Sequence, residues 1–269
     1  MAIIALQSAS SGLNALNTKL DVIANNLANI ETAGFKSSRT NFQDQLYIER
    51  AQPGVENGNG DQRPTGLYVG LGVKVSGTHQ DFSQGAPITT NRELDLTIDG
   101  QGFFQVQVES DLSSNGTAFT RSGAFAVNSD GELVLANDQG RRLEPGVQLG
   151  DDVIKIDIDQ NGRVFATSSG ALEPTEVGQI QIAAFINPAG LKQVGENLFV
   201  ESAASGPPNE GNPGEDQRGR IRQGQLEGSN VDPTRELIEL IRTQRAFEMN
   251  SQSIRAADEA LQTVGQLRR

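Results

Sequence analysis

Leucines recur seven residues apart from the first turns of the chain: Leu6, Leu13, Leu20 and Leu27, with Ala9, Leu16, Ile23 and Ile30 three residues after each. That is the a and d stripe of a coiled coil. The spacing predicts one helix over residues 3–31, free of proline, with Gly34 placed as its C-terminal cap. Leu240, Phe247, Ile254 and Leu261 repeat the sevenfold spacing near the other end. This second helix begins at Asp232, an N-cap residue, with Pro233 at the first helical position, where its fixed φ and missing N–H cost nothing; it runs to about Leu267. A helix with one apolar stripe must bury it. The other end of the same chain, or a neighbouring copy, is the partner at hand.

Between the helices the period changes to two. Leu94, Leu96 and Ile98 alternate with Asp95 and Thr97; Val106 and Val108 with glutamines; Ile154, Ile156 and Ile158 with Lys155 and Asp157; Ile180 and Ile182 with Gln179 and Gln181. Asp99-Gly100, Asn115-Gly116, Asp130-Gly131 and Asn161-Gly162 separate such runs as type I′ hairpin candidates. The fold class expected is α+β: terminal helices paired as a coiled-coil-like stem, with a central antiparallel β domain. Its divisions are 1–34 for the first helix, 35–75 for an extended connecting segment that includes a 47–66 loop, 76–205 for the β domain, 206–230 for a return linker and 231–269 for the second helix. Two Gly/Pro-rich stretches support the connecting segments. Residues 52–66 hold Pro53-Gly54, Asn57-Gly58-Asn59-Gly60 and Pro64, and residues 205–219 hold Pro207-Pro208 and Pro213-Gly214.

The two helices differ off the stripe. The first is lean, with Ala5, Ala15, Ala24, Ala28 and five asparagines, and only Lys19 and Asp21 charged before Glu31. It reads as a helix buried in a multi-helix wall. The second carries Arg235, Glu236, Glu239, Arg242, Arg245, Glu248, Arg255, Asp258 and Glu259, so one face meets water. Burying eight stripe residues gains roughly 1–2 kcal/mol each, while ordering costs about 1–2 kcal/mol per residue, so the termini are expected to order on assembly.

At 269 residues the chain has room for a sizeable core. A formal charge of −12 argues against sequence-independent nucleic-acid binding and against a polybasic membrane surface. With no cysteine there is no disulfide, thiolate nucleophile or cysteine zinc site. The first basic residue is Lys19, no secretory signal is readable, and no segment has the roughly 20 apolar residues of a membrane span.

Candidate chemistry is thin. Asp157, Asp159, Asn161 and Gly162 match the first half of a calcium loop, but the twelfth position is Ser168 and the segment alternates like a strand, so a hairpin turn is favoured. Gly70-Leu71-Gly72 and Gly100-Gln101-Gly102 lack the third glycine of a phosphate cradle and read as tight turns. His79 is the sole histidine and is assigned an exposed or hydrogen-bonded structural role. Asp95 and Asp99 form a carboxylate pair of the kind glycosidases use, yet Asp95 alternates with core residues as an outward position would. No catalytic residue, metal ligand or cofactor is assigned.

Several motifs occur in order along the chain. Asp21-Val22-Ile23-Ala24-Asn25-Asn26-Leu27-Ala28-Asn29, followed by Thr32, Gly34, Phe35 and Lys36, resembles the N-terminal signature of bacterial flagellar rod and hook proteins. Gly100-Gln101-Gly102-Phe103-Phe104, Thr120-Arg121-Ser122-Gly123-Ala124-Phe125, Gly195-Glu196-Asn197-Leu198-Phe199 and Ser229-Asn230-Val231 are similar to that family's internal and C-terminal motifs. Chain length and the segment 47–66 favour the distal part of the rod. A proximal rod or hook subunit stays open, as does, from another class, a secreted cell-wall-active or glycan-binding β domain on oligomerising helical ends. Phe247 stands where relatives often have tyrosine.

The resemblance implies a structural, non-enzymatic subunit that polymerises into a rigid hollow driveshaft, transmitting torque and passing export substrates. The polymer core would be built from Leu6, Leu13, Leu16, Leu20, Ile23, Leu27, Ile30, Leu237, Leu240, Phe247, Ile254 and Leu261. Asn25, Asn26 and Asn29, with Gly34 and Phe35, would set register between helices. The segment bearing Tyr47, Pro53, Gly54, Pro64 and Gly66 would stiffen contacts between subunits. The implied partners are copies of the chain itself, proximal rod and hook proteins, the P-ring and L-ring proteins, the flagellar export apparatus and the rod cap. Nucleic acid and direct membrane insertion are not among them. The implied place is the basal body across the periplasm, reached by export without a cleaved signal peptide.

Overall fold

A helix α1 spans Ala2–Ala28 and a helix α2 spans Pro233–Leu267 in the computed structural model, which describes residues 2–55, 62–109, 111–113, 115–150, 152–170 and 173–267. Asp232 caps α2 as its sequence requires, its Oδ1 accepting from the Thr234 and Arg235 amides at 2.9 and 3.2 Å. The first helix stops at Ala28, three residues short of expectation, and Gly34 is not its cap. Gly34 lies six residues beyond, at φ +72°, with its amide bonded to the Glu227 carbonyl.

The chain divides into two compact units. One holds residues 1–28, 38–79 and 232–269; the other holds 29–37 and 80–231. The helical unit contains 11 basic and 11 acidic residues, the other unit 11 and 23, so the whole net charge of −12 belongs to the second.

Within the helical unit α1 packs along α2. Residues 35–75 do not form a bare connection: strands β1 (Ser38–Asp44) and β4 (Val73–Gln80) pair, and β2 (Tyr47–Ala51) and β3 (Leu67–Gly70) form a hairpin. The Asn57-Gly58-Asn59-Gly60 part of the Gly/Pro-rich stretch lies outside the described residues. The turn Gly70–Gly72 presses on α1, where the Val73 amide donates to Ser11 Oγ and a Cβ added to Gly72 would fall 2.1 Å from that oxygen.

The second unit is built of short strands. They are β5 (Pro87–Thr89), β6 (Leu96–Asp99), β7 (Phe103–Gln107), β8 (Thr117–Thr120), β9 (Phe125–Val127), β10 (Leu133–Leu135), β11 (Leu143–Glu144) and β12 (Val153–Ile158). After them come β13 (Arg163–Ser168), β14 (Thr175–Gln179), β15 (Ile182–Ala184), β16 (Lys192–Gly195), β17 (Leu198–Val200), β18 (Asn209–Gly211), β19 (Arg220–Gln223) and β20 (Gln225–Glu227). The largest sheet runs β16-β17-β8-β7-β15-β18, with β11 also on β7, and β12-β13-β14 form a second sheet. All the ladders between strands are antiparallel where register is defined. The region 206–230 is not a linker, because β18 pairs with β15, β19 with β6 and β20 with β5.

The core explains which alternations hold. Phe103 joins a cluster with Phe119, Phe185 and Phe199, while its neighbour Phe104 joins the main cluster with Phe125, Leu96 and Ile182. Adjacent phenylalanines on β7 therefore fill opposite faces of a sheet covered on both sides. Asp95 is not outward either: it is 1% exposed, paired with Arg92 at 3.5 Å. Ile156 and Ile158 are buried but Ile154 is 71% exposed, because the β12–β13 register slips between Val153 and Lys155 and reverses the face. Ile180 and Ile182 are both buried, but the chain leaves one sheet and joins another between them.

Asn115-Gly116, Asp130-Gly131 and Asn161-Gly162 do lie in hairpin connections, between β7 and β8, β9 and β10, and β12 and β13. Only the glycine of each has positive φ, so none is a type I′ turn. Asp99-Gly100 makes no hairpin, since β6 pairs with β19. Asp157 and Asp159 bind Lys155 and Arg163 along the β12–β13 hairpin. His79 is exposed.

Candidate functional site

The helix pair is the first place to look for function, and its buried face is not the leucine stripe. Among the described side chains of α1 the buried ones are Gly12, Ala15, Ile23 and Asn26, spaced by eleven from Gly12 to Ile23 and from Ala15 to Asn26. Eleven residues make three turns of a nearly straight helix, whereas a heptad stripe drifts about 20° per repeat around it. Leu6, Leu13, Leu16, Leu20 and Leu27 consequently stay half-buried beside the contact, and only Ile23 of the stripe is fully covered. Ile30 lies past the helix end and is half-buried. On α2, Leu240, Phe247 and Ile254 are half-buried, while Leu237 and Leu261 are exposed, as are Ile238, Ile241 and Met249.

Polar groups fill the interior where the helices meet. A Cβ on Gly12 would lie 2.5 Å from Asn250 Nδ2, so its absence lets that amide approach. Lys19 Nζ donates to Glu239 Oε2 at 2.8 Å, and the buried Thr243 hydroxyl donates to the Glu239 carbonyl. The hydrogen bond from Lys19, followed by its charge, holds the Glu239 carboxyl below the usual range. Asn26, 1% exposed, is saturated: Nδ2 donates to the Ser38 carbonyl at 2.9 Å and to Glu236 Oε1 at 3.3 Å, and Oδ1 accepts from the Ser38 amide at 3.0 Å. Burial raises Glu236 against the opposing pull of that Asn26 bond. Asn25 is exposed, and Asn29 Oδ1 accepts from the Thr32 hydroxyl just past the helix.

The β2–β3 hairpin is the second place. Tyr47, Pro53, Gly54 and Pro64 are exposed and Gly66 is half-buried. Tyr47 lies over cross-strand Gly70 and Tyr68 over Gly66, while Tyr68 Oη donates to Glu49. Leu46, at 83% exposure, Ile48, Val55 and Leu67 add to an apolar surface that the helical unit leaves uncovered.

A third site escaped the sequence. In the β unit Lys36 Nζ meets Glu227 Oε1 at 2.5 Å and the Ser83 carbonyl at 2.7 Å, both side chains being fully buried. Glu227 also accepts from Arg121 Nη1 at 3.2 Å and from the Gly85 amide at 2.9 Å. Arg121 donates on to the carbonyls of Ile98 and Gly100 and lies 5.3 Å over the Phe103 ring. Desolvation lowers the Lys36 ammonium, opposed by Glu227, and lowers Arg121 in the same way. Around this cluster, Asn230 Oδ1 accepts from the Ser37 amide, the Asn230 amide donates to the Phe35 carbonyl, and Asn197 Nδ2 donates to the Ala33 carbonyl. Phe35 is half-buried, and Gly34 abuts the Arg121–Ser122 backbone so closely that an added Cβ would sit 2.6 Å from the Ser122 nitrogen. The only signal in the sequence was the order of the motifs, which gave no hint that they converge.

Among the described residues no cluster of three or more His, Cys, Asp or Glu is arranged to hold a metal ion, and no helix is long and apolar enough to cross a membrane. These surfaces can bind and align other surfaces.

The sequence matches known protein families. Residues 6–36 match the family described as flagella basal body rod protein, residues 97–166 the D1 domain of flagellar hook protein FlgE/F/G, and residues 222–267 the C-terminal region of flagellar basal body rod FlgEFG proteins. The chain is 42% identical to flagellar basal-body rod protein FlgG of Caulobacter vibrioides over 266 residues, covering 98% of this chain and 99% of that one. It is 42% identical to the same-named protein of Agrobacterium fabrum, covering 97% of each, and 36% identical to that of Bacillus subtilis, covering 98% of each.

Proposed function

The chain belongs to the family of flagellar basal-body rod proteins, and from that premise we propose that it is the distal-rod subunit, a structural protein that polymerises into a stiff hollow shaft. The observation that carries this reading is the likeness to rod proteins over almost the full length of both chains. The helix pair supports it. Its leucine stripe and the α2 row of Leu237, Ile238 and Ile241 are apolar and incompletely covered by the chain itself, so a second copy is what buries them. The two surfaces are unlike, and unlike surfaces joined head to tail give an open helical polymer.

In this reading α2 lines the central channel, where charges of both signs offer an unfolded passenger nothing to grip, and α1 packs outside it. The 47–66 hairpin bridges neighbouring subunits and stiffens the shaft. The shaft stands in the basal body across the periplasm, between proximal rod and hook proteins and inside the P-ring and L-ring. It is delivered by the export apparatus under the rod cap. The role involves no chemical step and no cofactor. Electron microscopy of the concentrated full chain tests the proposal: straight tubes are expected. Dispersed particles at every concentration, together with release of peptidoglycan fragments by the pure chain, would mark a cell-wall enzyme instead.

A further inference from the structure

Residues 29–37 belong to the β unit, although the segments on both sides of them, 1–28 and 38–79, belong to the helical unit. This short strap has no strand of its own. It is fastened by directional polar bonds to places far apart in the sequence. The Ala33 carbonyl is held by Asn197, the Gly34 amide by the Glu227 carbonyl, the Lys36 ammonium by Ser83 and Glu227, and the Ser37 amide by Asn230. Arg121, through Glu227 Oε2, and the Gly85 amide, through Oε1, also hold Glu227.

A buried ion cluster is a poor source of stability, since well-packed apolar residues of similar volume often do as well or better. This one also leaves Arg121 Nε without a hydrogen-bond partner. Apolar packing, however, is non-directional and yields to sliding, whereas hydrogen bonds fix position and angle. We infer that Lys36, Glu227, Arg121, Asn197 and Asn230 form a clasp that fixes the 33–37 strap to the β unit, so that turning force carried by the chain ends enters the sheets without creep. The inference rests on the proposed role as a shaft subunit. The five are positioning residues, and the motifs around Lys36, Arg121, Asn197 and Asn230 become parts of one joint.

The test uses the full chain with Lys36→Met, Asn230→Ala and the double variant. Each single change is expected to speed exchange of the Gly34 and Ser37 amides by about tenfold, the double change to add little more, and the Phe104 amide to stay protected. In cells carrying each variant as their sole copy, the ratio of swimming speed in viscous to dilute medium is expected to fall at least about twofold, the slackened joint yielding most under load. Unchanged exchange at Gly34 and Ser37, or multiplicative effects in the double variant, would overturn the clasp. Loosened amides with a wild-type speed ratio would overturn its mechanical role. Should Lys36→Met also expose Phe104, Asn230→Ala decides, because it removes only the hydrogen bonds of a half-buried side chain. A wild-type chain that builds no rod defeats the shaft reading itself, a separate result.

Discussion

Glu227 is the residue on which the β unit's interior electrostatics turn, because one carboxylate faces two buried cations, Lys36 and Arg121. Glu227→Gln leaves both uncompensated and is expected to destabilise the unit by about 3–5 kcal/mol. Lys36→Met is milder, since Glu227 keeps Arg121 and the Gly85 amide. The pH dependence follows from the lowered Lys36 ammonium. Between its folded pKa and 10.5 the unfolded chain holds a proton that the folded chain has released, so stability on this residue's account rises with pH across that window, and below it the burial cost is fully present. Urea unfolding of wild type and Lys36→Met at a series of alkaline pH values should show the rise in the first and its loss in the second. Asn26 is the corresponding residue of the helical unit. Asn26→Leu strips partners from the Ser38 amide and carbonyl and from Glu236, an expected loss of roughly 1–3 kcal/mol in thermal unfolding and a failure of tube assembly.

Elements were legible wherever a local rule set them. The cap Asp232-Pro233 and the sevenfold leucines fixed both helices to within a few residues. The face α1 buries was not legible, because small and polar residues, Gly12, Ala15 and Asn26, make the close approach that bulky leucines prevent. Strand alternation held for Ile156 and Ile158 and broke at Ile154, where a bulge changes the count and composition gives no warning. The segment 47–66 read as loop because turn residues separate β2 from β3, and Tyr47 gains its glycine partner, Gly70, only by pairing. Deleting residues 47–66 should leave assembly intact and yield curved tubes under the microscope; straight rigid tubes would refute the stiffening role.

The whole molecule was legible as helix, β domain, helix, and illegible where distant segments meet. β19 and β20 were assigned to a linker because their partners β6 and β5 lie more than a hundred residues away. Lys36, Arg121 and Glu227 each look like a surface charge until the fold buries them together. Charge is divided between the units with the same sharpness: none net on the helical unit, the whole net −12 on the β unit. Helical units therefore carry no net charge to repel one another as bodies, while β units on separate chains repel over about a Debye length, roughly 8 Å at physiological ionic strength. In the proposed shaft, adhesion and colloidal stability would thus reside in different bodies of one polypeptide, the β unit keeping separate chains dispersed until the helical units join.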